Sequence, residues 1–109
     1  MEFKEYQKLS RKTAIYPDKG KNWIYPLLGL AGETGEVLEK FKKMIRDNRG
    51  EMDEQFKRSL ALELGDILWY LSNLCTELKL DLEKIAKSNL EKLIERKKKG
   101  KIKGSGDFR

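Results

Sequence analysis

Residues 29–41, GLAGETGEVLEKF, and residues 61–71, ALELGDILWYL, decide the fold. Each carries an acid-x-x-acid pair inside a run with the apolar spacing of a core helix: Glu33 with Glu36, and Glu63 with Asp66. Three residues is nearly one helical turn, so both members of a pair lie on one face of their helix. Two such helices packed side by side aim four carboxylates into one small volume. Like charges crowded together are unfavourable unless a cation sits among them. The pattern predicts neighbouring helices with a divalent-cation site between them, suited to a ligand bearing phosphates.

Outward from these two stretches the chain reads as helices and breaks. Pro26 is placed to open a helix that runs to about Asn48, with Leu27, Leu30, Leu38, Phe41 and Ile45 as its apolar stripe. DNRGEMD interrupts the pattern at Gly50, and a further helix follows from about Asp53 to Lys79, striped by Phe56, Leu60, Leu64, Ile67, Leu71, Leu74 and Leu78. Upstream, residues 2–13 form a short amphipathic helix with Phe3, Tyr6 and Leu9 on one side. Residues 16–26, which hold both prolines, read as a loop. Asp81 is a candidate N-cap for a last helix to about Lys99, ended by Gly100. No strand signal occurs. The expectation is an all-α, antiparallel bundle of about four helices in one domain. Its parts are the N-terminal helix and loop (1–25), the site-bearing helices (26–99) and a glycine-rich basic tail (100–109).

At about 100° per residue, Glu33, Glu36 and Lys40 fall along one flank of the first stripe, and Glu63, Asp66 and Tyr70 along the corresponding flank of the second. Asn89, Lys92 and Arg96 do the same on the last helix. If these three helices share a core, they line one cleft, with two walls of carboxylate and one of cation and amide. Gly29, Gly32 and Gly35 recur every third residue, each costing the helix about 1 kcal/mol relative to alanine. That cost predicts a close approach to the backbone, by another helix or by the ligand. Trp69, off the main stripe, is expected to seal an interface, with stacking on a nucleobase as its other role. Asn73, one turn beyond Tyr70, is a candidate contact to a base or ribose.

Composition removes several chemistries. The chain has no histidine and one cysteine, Cys75, among leucines. Zinc, haem and imidazole acid–base catalysis are therefore disfavoured, and a disulfide within the chain is excluded. Oxygen ligands suit hard cations such as Mg²⁺, with Mn²⁺ as the alternative. No run approaches the roughly 18 apolar residues of a membrane span, and the N-terminus lacks an apolar signal core, so a cytoplasmic location is expected. Residues 84–109 hold ten Lys or Arg against three acids, a balance of +7 that leaves about −1 for the rest of a chain whose net charge is +6. A basic tail admits a rival reading, a nucleic-acid- or partner-binding module without catalysis. A plain oligomerisation module with solvated acids is a second rival.

The segments YPLLGLAGETGEVLEKFKK, ELGDILWYLSNL, NLEKLIER and GKIKGSGDFR resemble the MazG-like nucleotide pyrophosphohydrolases, across about residues 6–109. The signature of that all-α superfamily is ExxE, a spacer, then ExxD. Here the spacer is residues 37–62. The resemblance implies hydrolysis of a nucleoside triphosphate to the monophosphate and pyrophosphate, in nucleotide-pool house-cleaning. Glu33, Glu36, Glu63 and Asp66 would be the catalytic Mg²⁺ ligands, and Asn89, Lys92 and Arg96 the phosphate-binding element. It also implies a homodimer or homotetramer in which a neighbouring chain completes the nucleotide pocket, and points away from nucleic acid as a partner. Some relatives read EExxEE in the first motif; Gly32 and Val37 stand at those extra positions here, which leaves the water-activating base unassigned. Glu39 is the weaker candidate for it, since the wheel turns it away from the cleft.

Overall fold

The computed structural model describes residues 1–107. Its elements follow from caps and breakers. Helix α1 (Phe3–Arg11) ends where the Lys12 N–H bonds back to the Leu9 carbonyl and the Thr13 N–H to that of Ser10. Helix α2 (Ile24–Asp47) starts two residues before the proline expected to open it. Asn22 Oδ1 accepts the Tyr25 N–H at 3.0 Å, and Pro26 falls in the first turn, where a missing N–H is harmless. The Asn48 and Gly50 amides both bond to the Met44 carbonyl, and Gly50, with φ 75°, lets the chain leave. Asp53 caps α3 (Glu54–Glu77) through the Phe56 N–H at 2.8 Å. Asp81 caps α4 (Leu82–Lys98) through the Lys84 N–H at 3.2 Å. Among the described residues there are four helices and no strand, as the periodicity predicts.

The packing departs from the expected cleft. α2 and α3 form the main pair, α1 lies on α3, and α4 packs on α1. The third wall, α4, therefore does not close over the α2–α3 pair within this chain. Three members of the predicted α2 stripe, Leu27, Leu38 and Ile45, stay exposed, Leu38 by 67 %. Leu62 and Leu64 on α3 and Leu90, Leu93 and Ile94 on α4 are exposed as well. What packs well is a layer around Phe41 and Phe56, edge to face at 5.1 Å, and a small core of Ala14, Tyr16, Met44, Cys75 and Leu82. The radius of gyration is 17.0 Å, against about 13 Å for a compact domain of this length.

The loop between α1 and α2 gathers around the Glu77 side chain. Glu77, with no exposed side-chain surface, accepts from the Gly20 and Asn22 amides at 2.9 Å each, from the Arg11 guanidinium at 2.8 Å and from the Tyr16 hydroxyl. Burial alone would raise its pKa; the four donors outweigh burial and hold it down to about 2. Asn73 belongs to the same assembly, donating to the Trp69 carbonyl and accepting from Arg11.

Candidate metal centre

Glu33 on α2 and Glu63 and Asp66 on α3 each present an oxygen, all within 4.8 Å of one another. The i, i+3 spacing on α3 puts its two carboxylates on the face turned to α2, and the helix pairing brings Glu33 across to them. Glu33 and Glu63 are half-buried and Asp66 is exposed, so the cluster opens to solvent at one side. At this separation two ionised carboxylates repel by about 3 kcal/mol at an effective dielectric near 20. The strain shows in protonation. The Glu33 carboxyl is pushed up to about 7, first by a hydrogen bond to Glu63, then by burial, then by the charges of Glu63, Asp66 and Glu36. That bond needs a proton on Glu33. With both ionised, the buried Glu63 Oε2 has no partner.

An all-carboxylate cluster with a buried, unpartnered oxygen fits a hard divalent cation such as Mg²⁺ or Mn²⁺. The nearest cationic partner of the cluster is Lys40, whose Nζ lies 3.9 Å from Glu63 Oε1 and donates to Ser59 Oγ at 2.6 Å. Lys40 is thus drawn to the second acidic motif across the helix pair, not to Glu36 on its own helix. Glu36 is exposed and is not among the converging oxygens, although its charge reaches Glu33. Glu39 pairs with Lys42 at 2.9 Å.

One aromatic ring lies beside the cluster, and others pack behind it. Tyr70 lies over Gly29, its phenol raised in pKa by burial and then by Tyr25, Glu33 and Asp66. Trp69 meets Tyr70 edge to face at 5.1 Å and donates its indole N–H to Thr13 Oγ1 at 2.7 Å, sealing the α1–α2 loop. Tyr16 stacks on Tyr25 at 4.9 Å. Only Gly29 of the glycine series meets a neighbour, and Gly32 and Gly35 face open space. Asn73 needs correction: it is 0 % exposed and bonded to Arg11 and Trp69, so it holds α1 to α3 and is closed to a base or ribose.

The sequence-predicted phosphate element is elsewhere. Asn89 is exposed, Lys92 is half-buried, and Arg96 is 5 % exposed, all on α4 beside α1. Lys92 and Arg96 are both engaged by Asp107 of the tail. Glu77, Arg11 and Asp107 carry no signal in helical periodicity, because their partners are distant in sequence or lie in an irregular tail.

The family model of the MazG nucleotide pyrophosphohydrolase domain matches residues 26–101, a span that contains both acidic motifs and the α4 element. The chain belongs to the MazG family. A curated relative, the Gene 37 protein of Mycobacterium phage L5, is 40% identical over 109 residues, covering 95% of this chain and 96% of that protein. No solved structure matches. In this MazG chain no helix among the described residues is long and apolar enough to cross a membrane.

Proposed function

We propose that this chain is a Mg²⁺-dependent nucleoside triphosphate pyrophosphohydrolase, acting on an NTP or dNTP in nucleotide-pool house-cleaning. The observation that carries the reading is the meeting of Glu33, Glu63 and Asp66 within 4.8 Å, inside the segment matched by the MazG domain. Glu33, Glu63 and Asp66 would hold the cation, with Glu36, one turn along α2, adding its charge nearby. Bound there, the cation supplies positive charge for triphosphate oxygens and acidifies water. The chain's own groups do the rest. Water adds to the α-phosphorus in line, its proton passes to a carboxylate of the cluster, and the bond to the bridging oxygen of the β-phosphate breaks. The nucleoside monophosphate and pyrophosphate leave. Most of the rate comes from positioning and charge complementarity. Tyr70, beside the cluster, with Trp69 packed edge to face on it, offers the side on which a base or sugar would rest.

Charge on departing pyrophosphate calls for cations, and Lys92, Arg96 and Asn89 are the family-matched set. Within one chain α4 lies on α1. We therefore assign the closing wall to a second copy, in a homodimer or homotetramer. The open shape and the exposed leucines of α2, α3 and α4 support this. A reducing cytoplasm suits the single, buried, free Cys75.

A panel of canonical and modified nucleotides with Mg²⁺, scored for monophosphate and pyrophosphate, tests the reading. Turnover of at least one nucleotide, lost in Asp66→Asn, is the expected result. Release of orthophosphate alone, or equal turnover in the variant, overturns it.

A further inference from the structure

Arg96 is held in an unusual way for a cation at the end of a solvated helix. Only 5 % of it is exposed, and its Nε–H is buried with no partner. Its terminal Nη2 donates to the Gly106 carbonyl and to Asp107 Oδ1, both at a long 3.3 Å. Lys92, one turn earlier on the same face, donates to that same oxygen at 3.0 Å. The tail is bent back to make these contacts. The Lys101 amide bonds to the Arg96 carbonyl at 2.8 Å, the Gly104 amide to Lys101 at 3.2 Å, and Gly106 turns the chain with φ 79°.

Two cations converging on one carboxylate oxygen, with a third buried N–H left over, have more donors than a carboxylate in this position satisfies. A phosphate group presents more acceptor oxygens and more charge, and a guanidinium binds it in a bidentate fork. Lys92 and Asn89 also line a groove continued by Lys79, Lys84 and Ser88, whose three lysines outnumber its one carboxylate, Asp81, and which gives room for a longer polyanion. Asp107 is 73% exposed on its side chain, so that side chain is held in the seat by charge and not by packing.

We infer that Asp107 is an internal phosphate mimic: the tail occupies the Lys92–Arg96 seat, and a substrate or product phosphate must displace it. The inference rests on the assignment of these two residues to phosphates under the proposed function. The tail then acts as a competitor tethered to its own site. Apparent affinity for phosphate falls by the fraction of molecules in which the seat is open. Asp107 touches no reacting atom and is no part of the catalytic set.

The test measures binding of inorganic pyrophosphate to the full chain by calorimetry with divalent cations removed, which separates it from turnover. Asp107→Asn keeps the side chain's shape and removes the charge; being exposed, it should leave the far-UV helical signal unchanged. The expected result is binding roughly three- to tenfold tighter than wild type. In the wild type, pyrophosphate should also loosen the amides of Gly104 and Gly106 on the NMR timescale. Unchanged or weaker binding in Asp107→Asn, absence of binding in both proteins, or a tail whose amides do not respond would each overturn the inference. A tighter Asp107→Asn in a protein without nucleotide turnover would uphold the latch and defeat the hydrolase. Turnover with an indifferent Asp107→Asn would do the reverse.

Discussion

The ring of Tyr70 occupies the space that a side chain at Gly29 would need. A Cβ there would collide with the ring carbons Cδ1, Cε1 and Cζ. Gly29→Ala should therefore push Tyr70 off the helix and away from the carboxylates. Overpacking of this kind costs about 1–3 kcal/mol, which exceeds the roughly 1 kcal/mol an alanine returns to the helix. Thermal melts should show Gly29→Ala less stable than wild type. Gly32→Ala and Gly35→Ala meet nothing in the single chain. They should raise the melting temperature, unless an assembled partner or bound nucleotide approaches α2 there.

Replacing Glu33 by glutamine should separate stability from metal binding. The wild-type cluster carries repulsion that the cation relieves, so Glu33→Gln is expected to gain on the order of 1 kcal/mol in EDTA. It should lose most of the stabilisation that Mg²⁺ gives the wild type. Paired melts with and without Mg²⁺ measure both effects, and an equal Mg²⁺ response in the two proteins would remove Glu33 from the site.

The same carboxyl sets a pH dependence. Its folded pKa, about 7, lies above the ordinary 4.5. A proton is then held more tightly in the fold than in the unfolded chain. The contribution is fully present below pH 4.5 and is lost as pH rises through 7. Without metal, stability from this group should decline between pH 4.5 and 7. Mg²⁺ competes for the site with that proton, so its affinity should climb over the same interval and level off above it. Calorimetric titrations at pH 6, 7 and 8 read this directly.

Glu77 behaves in the opposite sense. Held at about 2, below the usual 4.5, it stabilises the fold above pH 4.5 and gives that up as pH falls towards 2. Glu77→Gln leaves Arg11 and two loop amides poorly matched in a buried place. A loss of about 3 kcal/mol is expected by chemical denaturation, together with a weaker acid transition than wild type.

Assembly can be read by mass. Light scattering after size exclusion should give two or more copies per particle. Leu38→Lys, on the exposed α2 stripe, should shift the mass towards one chain and depress turnover without disturbing the helices.

The helices and the Glu63–Asp66 pair were legible in the sequence because both are local, whereas Glu36, read as a fourth member of the centre, stays outside the three converging carboxylates. A turn of helix fixes Glu63 against Asp66, and caps such as Asp53 and Asp81 sit next to the amides they bond. The flank positions of Glu33 and Lys40 also came through, since antiparallel pairing of two striped helices leaves little freedom. The place of α4 did not. Its stripe says that it packs on something apolar, and α1 offers such a face as readily as α2 does. Asn73 looked like a surface amide for a related reason. The guanidinium that buries it lies on α1, 62 positions away in sequence. Asp107 was hidden by composition, because a glycine-rich tail carries no periodicity from which to infer a fold-back.

Glu77 also bears on when α1 and the loop after it can settle. The donors it gathers come from Arg11, Tyr16, Gly20 and Asn22, between 55 and 66 positions earlier. During synthesis the loop has only its local ties to the start of α2, the Tyr16–Tyr25 stack and the Asn22–Tyr25 bond, until most of α3 has left the ribosome. Ordering of that region is therefore a late event in chain growth, set by closure of one long loop more than by the intrinsic preferences of its own residues.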